Sequence, residues 1–383
     1  MSVKSIDKNI EETNLDGYLM YSESAFDSNM YYLTRFLSSD PFIFLRSEQT
    51  STIVVSGMEK SRASKTSVVE RVCSYLDYKP DWHLTDHESS MIEILSIILQ
   101  TSEVKKVGVD SRFPVKLADL LREEGYVVRA LSGVVENSRI IKSTHEIQLI
   151  TDVQRACEQS LETALNILSK SNAVDEVLYY KSEILTSEKL KASIGCSLIT
   201  KECSADDIIA SSGDDSAIPH LSGSGPVKAN APIVFDIFPR SIRSRYRTDM
   251  SRTVVKGDPQ KELEEMYDAV VLAQTAALSL IKAGVTGAEV HQAVVDHFEQ
   301  SGFKTDITKG YGFTHSTGHG LGLDVHELPY LSKSGGVLQS GNVVTVEPGL
   351  YYPEIGGIRI EDAVVITDKG YKNITRFDKR LVI

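Results

Sequence analysis

The architecture can be read from two stretches, residues 232–256, PIVFDIFPRSIRSRYRTDMSRTVVK, and residues 342–367, NVVTVEPGLYYPEIGGIRIEDAVVIT. Each holds β-rich runs around a polar or glycine-bearing connection, and each carries a pair of acids. Asp236 and Asp249 lie thirteen residues apart, Glu347 and Glu361 fourteen. Two helical patterns precede each stretch. Ser143-Thr-His-Glu146 is a capping-box pattern whose side chains can satisfy the free N–H groups of a helix start. It predicts a helix to about Lys170 and a second over Val174–Leu190. Before the other stretch, Asp258-Pro259 reads as an N-cap with proline at the first helical position, opening a helix to about Lys282, ahead of Gly284. Thr286-Gly-Ala-Glu289 is another capping box, for a helix ending near Gly302. Helix, helix and acid-bearing strands, twice, imply two halves related by a pseudo-twofold axis, each contributing one carboxylate pair.

Taken alone, either pair could be solvated acids at strand ends. Asp236, however, is flanked by Val234, Phe235, Ile237 and Phe238, where a carboxylate is costly to bury without a cation or hydrogen-bond donors. Antiparallel pairing across PRSIRSRYR would set Asp236 and Asp249 on one face. Glu347 ends the run NVVTV, and Glu361 stands before AVVIT. Between the pairs lies THSTGHGLGLDVHELP, with His315, His319 and His326 within twelve residues and glycines at 318, 320 and 322. Such glycines allow close backbone approach to an ion. Four carboxylates and one imidazole suit two divalent ions; carboxylate oxygens favour Mn²⁺ or Mg²⁺, and the imidazole admits Zn²⁺, Co²⁺ and Fe²⁺. His220, in SAIPHLSG, is far off in sequence and weak as a signal by itself.

Residues 15–131 alternate differently. LDGYLMYS, MYYLTRF, PFIFLRS, STIVVSG, KKVGVD and GYVVRAL read as strands, and MEKSRASKTSVVERVCSYL, ESSMIEILSIILQTS and FPVKLADLLREEG as helices. The expectation is an α/β domain over 1–138 followed by a second domain over 139–383. Trp82, in KPDWHLTDHES, is placed on a surface connection without function.

With 383 residues, 41% hydrophobic and 25% charged, the composition is that of a folded two-domain protein. A net charge of −12 opposes nucleic-acid binding, which needs a basic stripe. The polar N-terminus reads as neither signal nor anchor, and the apolar run MIEILSIIL is too short to span a bilayer, so a cytoplasmic location is expected. Cys73, Cys157, Cys196 and Cys203 form no CxxC pair and read as reduced thiols.

The order Asp236, Asp249, His319, Glu347, Glu361, with HSTGHGLGLDVHELP, VEPGLY and IRIED, resembles the pita-bread metallopeptidases, and within them the Xaa-Pro dipeptidases and Xaa-Pro aminopeptidases. The resemblance extends through RIIKSTHEIQLI, and more loosely through DGYLMYSES and YYLTRF to the creatinase-type N-terminal domain. It implies a creatinase-like α/β domain followed by an α+β pita-bread domain. It further implies that Asp236 chelates one metal ion, that Asp249 and Glu361 bridge two, and that His319 and Glu347 hold the second. A metal-bound hydroxide would attack the peptide carbonyl, with Glu347 also accepting a proton. His220 and His326 would bind the carbonyl and the developing oxyanion, and His315 and Arg359 would shape the proline side of the pocket.

The expected activity is hydrolysis of the bond between an N-terminal residue and proline, by an Xaa-Pro aminopeptidase that is a homodimer and uses Mn²⁺, with Co²⁺, Zn²⁺ or Fe²⁺ as substitutes. The two-domain length and the LGLDVHE run tip the reading towards the aminopeptidase over the dipeptidase. A metal-free creatinase-like hydrolase and a non-catalytic binding scaffold are the other classes; retention of all five ligands argues against both. Two departures from the family pattern are the length of the loop 239–247, with its four arginines, and Arg245-Tyr246 where a small residue is common. This loop is expected in solvent or at a subunit contact.

Overall fold

A computed structural model describes residues 4–79 and 87–383, which leaves Trp82 outside the described residues. The chain divides into two compact units, Met1–Arg139 and Ile140–Ile383.

In the first unit, strands β1 (Gly17–Ser22), β2 (Phe42–Ser47), β3 (Thr50–Val55), β4 (Arg71–Ser74), β5 (Lys106–Asp110) and β6 (Val127–Leu131) form one mixed sheet, ordered β4-β3-β2-β1-β5-β6. The β1–β2–β3 meander is antiparallel, and β4, β5 and β6 join in parallel. Helices α1 (Lys4–Thr13), α2 (Ser28–Thr34), α3 (Lys60–Thr66), α4 (Tyr75–Tyr78), α5 (His87–Thr101), α6 (Val115–Glu123) and α7 (Glu136–Arg139) complete the unit. Two sequence expectations fail here. MYYLTRF is mostly α2, because Asp27 Oδ1 accepts from the backbone N–H groups of Asn29 and Met30 and so starts a helix. The single helix expected over 58–76 splits into α3, β4 and α4. Its segment Arg71–Ser74 pairs as a strand, with the β-branched Val72 opposite Ile53.

The second unit repeats a pattern. Its first half contains α8 (Thr144–Ser169), a ribbon of β7 (Asn172–Val174), β8 (Val177–Tyr180) and β9 (Glu183–Ile184), then α9 (Ser187–Thr200). It continues through β10 (Cys203–Ser204), β11 (Ile208–Ser212), β12 (Pro232–Ile237), β13 (Arg240–Ser241) and β14 (Met250–Val255). Its second half contains α10 (Lys261–Leu280), α11 (Gly287–Gln300), β15 (Gly318–Gly320), β16 (Glu327–Leu331), β17 (Val343–Val346), β18 (Gly349–Tyr352), β19 (Gly356–Arg359), β20 (Asp362–Thr367) and β21 (Gly370–Asn373). The sheet β11-β12-β14 answers the centre of the sheet β16-β15-β17-β20-β21, and two helices precede each.

The capping boxes at Ser143/Glu146 and Thr286/Glu289 are both closed. Each is worth about 1 kcal/mol as a helix start. The helix expected over Val174–Leu190 is instead the β7–β9 ribbon and the first turn of α9. Asp175 and Glu176 adopt positive φ in the turn, Val177 to Tyr180 are β-branched or aromatic where they are not leucine, and Thr186 caps α9. Helix α10 starts two residues after Pro259, with Gln260 at the cap. Asp258 instead donates its N–H to Asn230 Oδ1.

Each half has its own apolar core. Leu161, Leu190, Ile194 and Phe235 pack together in the first, and Val270, Val294, Val344 and Val364 in the second. Every one of these side chains is fully enclosed, and burial of this kind stabilises by about 1.5–3 kcal/mol per large aliphatic residue. These cores fix the sheets, and the sheets carry the acids. No helix of the described residues is long and apolar enough to cross a membrane.

Candidate metal centre and active site

The strand registers set the carboxylates. In the β12–β14 ladder, Ile237 pairs with Met250 and Asp236 with Ser251, which leaves Asp249 at the mouth of β14. In the β17–β20 ladder, Val346 pairs with Asp362, and Glu347 and Glu361 immediately flank that pair at the corresponding end. His319 comes from β15. This strand lies so close to its neighbours that a Cβ at Gly318 would meet the Thr345 carbonyl oxygen at 2.0 Å, and one at Gly320 the Leu328 oxygen at 2.2 Å. Only glycine fits on either side of the histidine.

The result is a pocket of about 530 Å³. All nine candidate residues line it: Asp236, Asp249, His319, Glu347 and Glu361 together with His220, His315, His326 and Arg359. One ligand atom each from Asp249, His319 and Glu361 lie within 4.8 Å of one another.

The tautomer of His319 follows from its partners. Nδ1 donates to the Gly320 carbonyl at 3.1 Å, so Nε2 faces the acids, 3.2 Å from Glu347 Oε1 and 3.8 Å from Asp249 Oδ2. Thr345 Oγ1 accepts from the His319 N–H and leans on Glu347 Oε1 at 3.4 Å. Arg359 organises the other side. Its Nη2 donates to Asp236 Oδ2 at 2.8 Å, its Nη1 to the Tyr351 hydroxyl at 2.8 Å and to the Pro219 carbonyl at 3.2 Å, and its Nε to Ser251 Oγ at 2.9 Å. Ser251 in turn donates to Glu361 Oε2 at 2.9 Å.

Unspent acceptors are the test of whether these residues suit metal ions. Asp236 Oδ1, Asp249 Oδ1 and Glu361 Oε1 are buried and hold no hydrogen bond. A carboxylate oxygen left so costs several kcal/mol unless something compensates it. Burial, reinforced by the charges of Glu361, Asp236 and Glu347, pushes the Asp249 carboxyl well above the usual carboxylate range. Burial, and then Glu347 and Asp236, does the same to Glu361. Burial opposes charge on His319, but the Glu347 carboxylate outweighs it and raises the ring to about 9. Burial would also raise Glu347, and its hydrogen bond from His319 overrides that and holds it at about 2. Three orphaned oxygens, an imidazole nitrogen aimed at them and surplus negative charge fit divalent cations of oxygen and nitrogen preference.

The pocket wall is built from rings. His315 Nδ1 donates to the Ser316 carbonyl at 2.8 Å, so its Nε2 accepts from the Tyr351 hydroxyl at 2.9 Å. Burial holds His315 below the ordinary imidazole range, hence neutral. Phe313 meets its ring edge-on at 5.3 Å. His326 stands 4.2 Å from the His319 ring, and both His326 and His220 are exposed on the solvent side of the pocket.

Sequence reasoning passed over Tyr351 and Ser251, although both sit inside quoted motifs, VEPGLYY and TDMSRT. It also passed over Lys142, a buried lysine whose ammonium lies 2.5 Å from Oε1 of Glu327, the residue after His326. The Arg-rich loop is tied down within the chain: Arg247 pairs with Asp206 at 2.5 Å and Arg243 with Glu202 at 2.6 Å.

The profile of metallopeptidase family M24 matches residues 148–368, and that of the creatinase/prolidase N-terminal domain residues 3–141. The uncharacterized peptidase YqhT of Bacillus subtilis is 30% identical over 380 residues, 97% of either chain. Among solved structures, an Xaa-Pro dipeptidase from Bacillus anthracis superposes with a TM-score of 0.85 at 25% identity, covering 100% of this chain and 99% of that one. The X-Pro aminopeptidase from Thermotoga maritima gives 0.81 at 25% identity, covering 98% and 100%. Twin carboxylate ladders around a buried imidazole, in a chain matched from end to end, place it in metallopeptidase family M24, behind a creatinase-type N-terminal domain.

Proposed function

We propose that this metallopeptidase cleaves the bond between an N-terminal residue and proline, as an Xaa-Pro aminopeptidase. The observation that carries the reading is the join of the acid floor to a neutral histidine wall: Asp236 is held by Arg359, Arg359 by Tyr351, and Tyr351 by His315. Asp236, Asp249, His319, Glu347 and Glu361 would hold two divalent ions, with Mn²⁺ the first choice and Co²⁺, Zn²⁺ or Fe²⁺ as substitutes. Such ions acidify a water and polarise the scissile carbonyl.

The chain's own residues supply the rest. Glu347 and Asp236 keep 15% and 13% of their side chains exposed, against 7% for Asp249, and Glu361 is sealed below them. These two are the acids open to substrate, and by the family pattern Glu347 would be the one to take a proton from the attacking water and pass it to the leaving proline nitrogen. His220 and His326 border the open side, where a donor can stabilise the oxyanion; one such donor contributes about 10²–10³ in kcat in other hydrolases. The bond before proline has no N–H and a fixed ring, so a flat neutral wall such as His315 against Phe313 suits it better than a backbone acceptor would.

The solved Xaa-Pro dipeptidase at 25% identity supports the dipeptidase as a second reading. Chelator-stripped protein, reloaded with Mn²⁺, Co²⁺ or Zn²⁺, is assayed on an Xaa-Pro dipeptide and an Xaa-Pro-Yaa tripeptide. Metal-dependent release of the first residue from the tripeptide is expected; cleavage of the dipeptide alone establishes the dipeptidase, and cleavage of neither ends the proline reading. A homodimer is the expected assembly, tested by light scattering after gel filtration.

A further inference from the structure

The metal pocket has a neighbour larger than itself. A second cavity, of about 800 Å³, shares His315 and Ser316 with it as common wall. Its base is aromatic: Phe298 meets Phe313 at 5.3 Å, and Phe313 meets His315 at 5.3 Å, so a continuous ladder of rings leads from this cavity to the proline wall. Its rim carries two lysines, two acids and an exposed isoleucine. Lys304 and Lys333 are exposed, neither ammonium is ion-paired among the described residues, and Lys333 is near enough to help lower the His291 ring, which burial lowers first. Ile307 stands 63% exposed beside them. Of the two acids on the rim, Asp306 is committed to its own turn and to Lys309, and Glu299 sits at the end of α11.

Resting on the proposed Xaa-Pro reading, we infer that this cavity receives the peptide beyond the proline and that Lys304 and Lys333 bind a carboxylate carried there. A dipeptidase has no use for such a space, since its substrate ends at the proline. A peptide continuing past His315 gains about 3.5 Å of reach per residue. Further residues would run past Ser316 along the side of the cavity backed by Phe298 and Phe313 and bring the terminal carboxylate towards the lysines. The ligand class is therefore a short peptide, Xaa-Pro-Yaa or Xaa-Pro-Yaa-Zaa, with an apolar third residue and a free C-terminal carboxylate. The lysines act on affinity for the extended chain and touch no reacting atom.

The test compares metal-loaded protein with its K304A/K333A variant on Ala-Pro, Ala-Pro-Phe, Ala-Pro-Phe-Phe and the two longer peptides as C-terminal amides. In the unmodified protein, at least one free acid is expected to show a KM about two- to fivefold below its amide, the scale of an exposed ion pair. In the variant that gap closes, while Ala-Pro turnover and kcat stay unchanged. Equal KM for acid and amide at both lengths, or a gap that survives in the variant, overturns the assignment. Direct calorimetric binding of Pro-Phe against Pro-Phe amide supplies a readout that does not need hydrolysis. Failure to cleave any Xaa-Pro peptide would end the proline reading, whereas loss of the acid preference in binding on substituting the lysines would still support the carboxylate site. Absence of that preference in the unmodified protein would sink it.

Discussion

The two halves of the catalytic unit share a scaffold and differ in what they place on it. Each sheet delivers two acids at one end of an antiparallel ladder, Asp236 and Asp249 from β12–β14, Glu347 and Glu361 from β17–β20. In each pair, one acid takes a hydrogen bond from a cationic group and the other does not. Asp236 holds Arg359 at 2.8 Å, and Glu347 holds His319 at 3.2 Å. Asp249 stands 3.8 Å from the same imidazole, beyond hydrogen-bond reach, and Glu361 receives only the Ser251 hydroxyl. These two are the acids whose carboxyls are pushed far up, and they are the two proposed to bridge the metal ions. The symmetry is thus one of position. Both counter-groups, Arg359 and His319, come from the second half, so the first half depends on the second for its charge balance.

Breaking this asymmetry should give graded effects. Glu347→Ala is expected to reduce metal-dependent turnover to background, a loss of at least about a thousandfold, because it removes a proposed ligand and the proposed proton acceptor together. Asp236→Asn removes the charge of a proposed ligand and weakens its Arg359 pair, so it should chiefly raise the Mn²⁺ concentration needed for half-maximal rate. Near-normal kcat in the Glu347 variant, measured at saturating metal, would overturn the division of roles.

Metal removal should reveal the unpartnered acids through pH. Asp249 and Glu361 have folded-state values above their unfolded ones, so the folded chain binds more protons and its stability falls as pH rises past the ordinary carboxylate range. His319, raised to about 9, adds stability that is complete below about 6.5 and lost towards 9. Glu347, held near 2, contributes a constant amount over that window. Chelated protein should therefore melt at lower temperature at pH 8 than at pH 5.5. Metal-loaded protein should lose this slope and gain about 4 kcal/mol where the ion is a thousandfold above its Kd. A chelated protein with melting independent of pH would contradict the charge assignment.

Arg359→Lys keeps the charge and loses the fork that joins Asp236, Ser251 and Tyr351. A fall of about 10–100-fold in metal affinity or kcat/KM is expected, read by metal titration of activity. Tyr351→Phe is the mildest change. It strands His315 Nε2 and one Arg359 N–H, and should destabilise by about 1–3 kcal/mol while raising KM for proline substrates several-fold. An unaltered KM would detach the ring wall from substrate binding.

Local chemistry made much of this legible in the sequence. Ser143/Glu146 and Thr286/Glu289 marked two helix starts because a capping box needs only four consecutive residues. The spacing of the acids anticipated the twin ladders. Val174–Leu190 misled because its apolar residues fit a helical period, while the positive-φ turn at Asp175-Glu176 makes it a ribbon. MYYLTRF misled for the opposite reason: a β-rich composition was overruled by the Asp27 cap. Tyr351 and Ser251 could not be singled out, since their importance lies in what Arg359 reaches across more than a hundred residues of chain in one case and eight in the other.

The glycines around His319 carry a consequence for how this site can change. With no room for a Cβ at Gly318 or Gly320, main-chain atoms of β16 and of the β17 residue Thr345 set the place of the His319 backbone. Substitutions outside the charged network of the pocket can therefore drift without displacing the His319 backbone. Laboratory or natural diversification is steered outward, to the cavity walls and the lysine rim, where new substrates can be gained while the backbone that carries His319 stays in place.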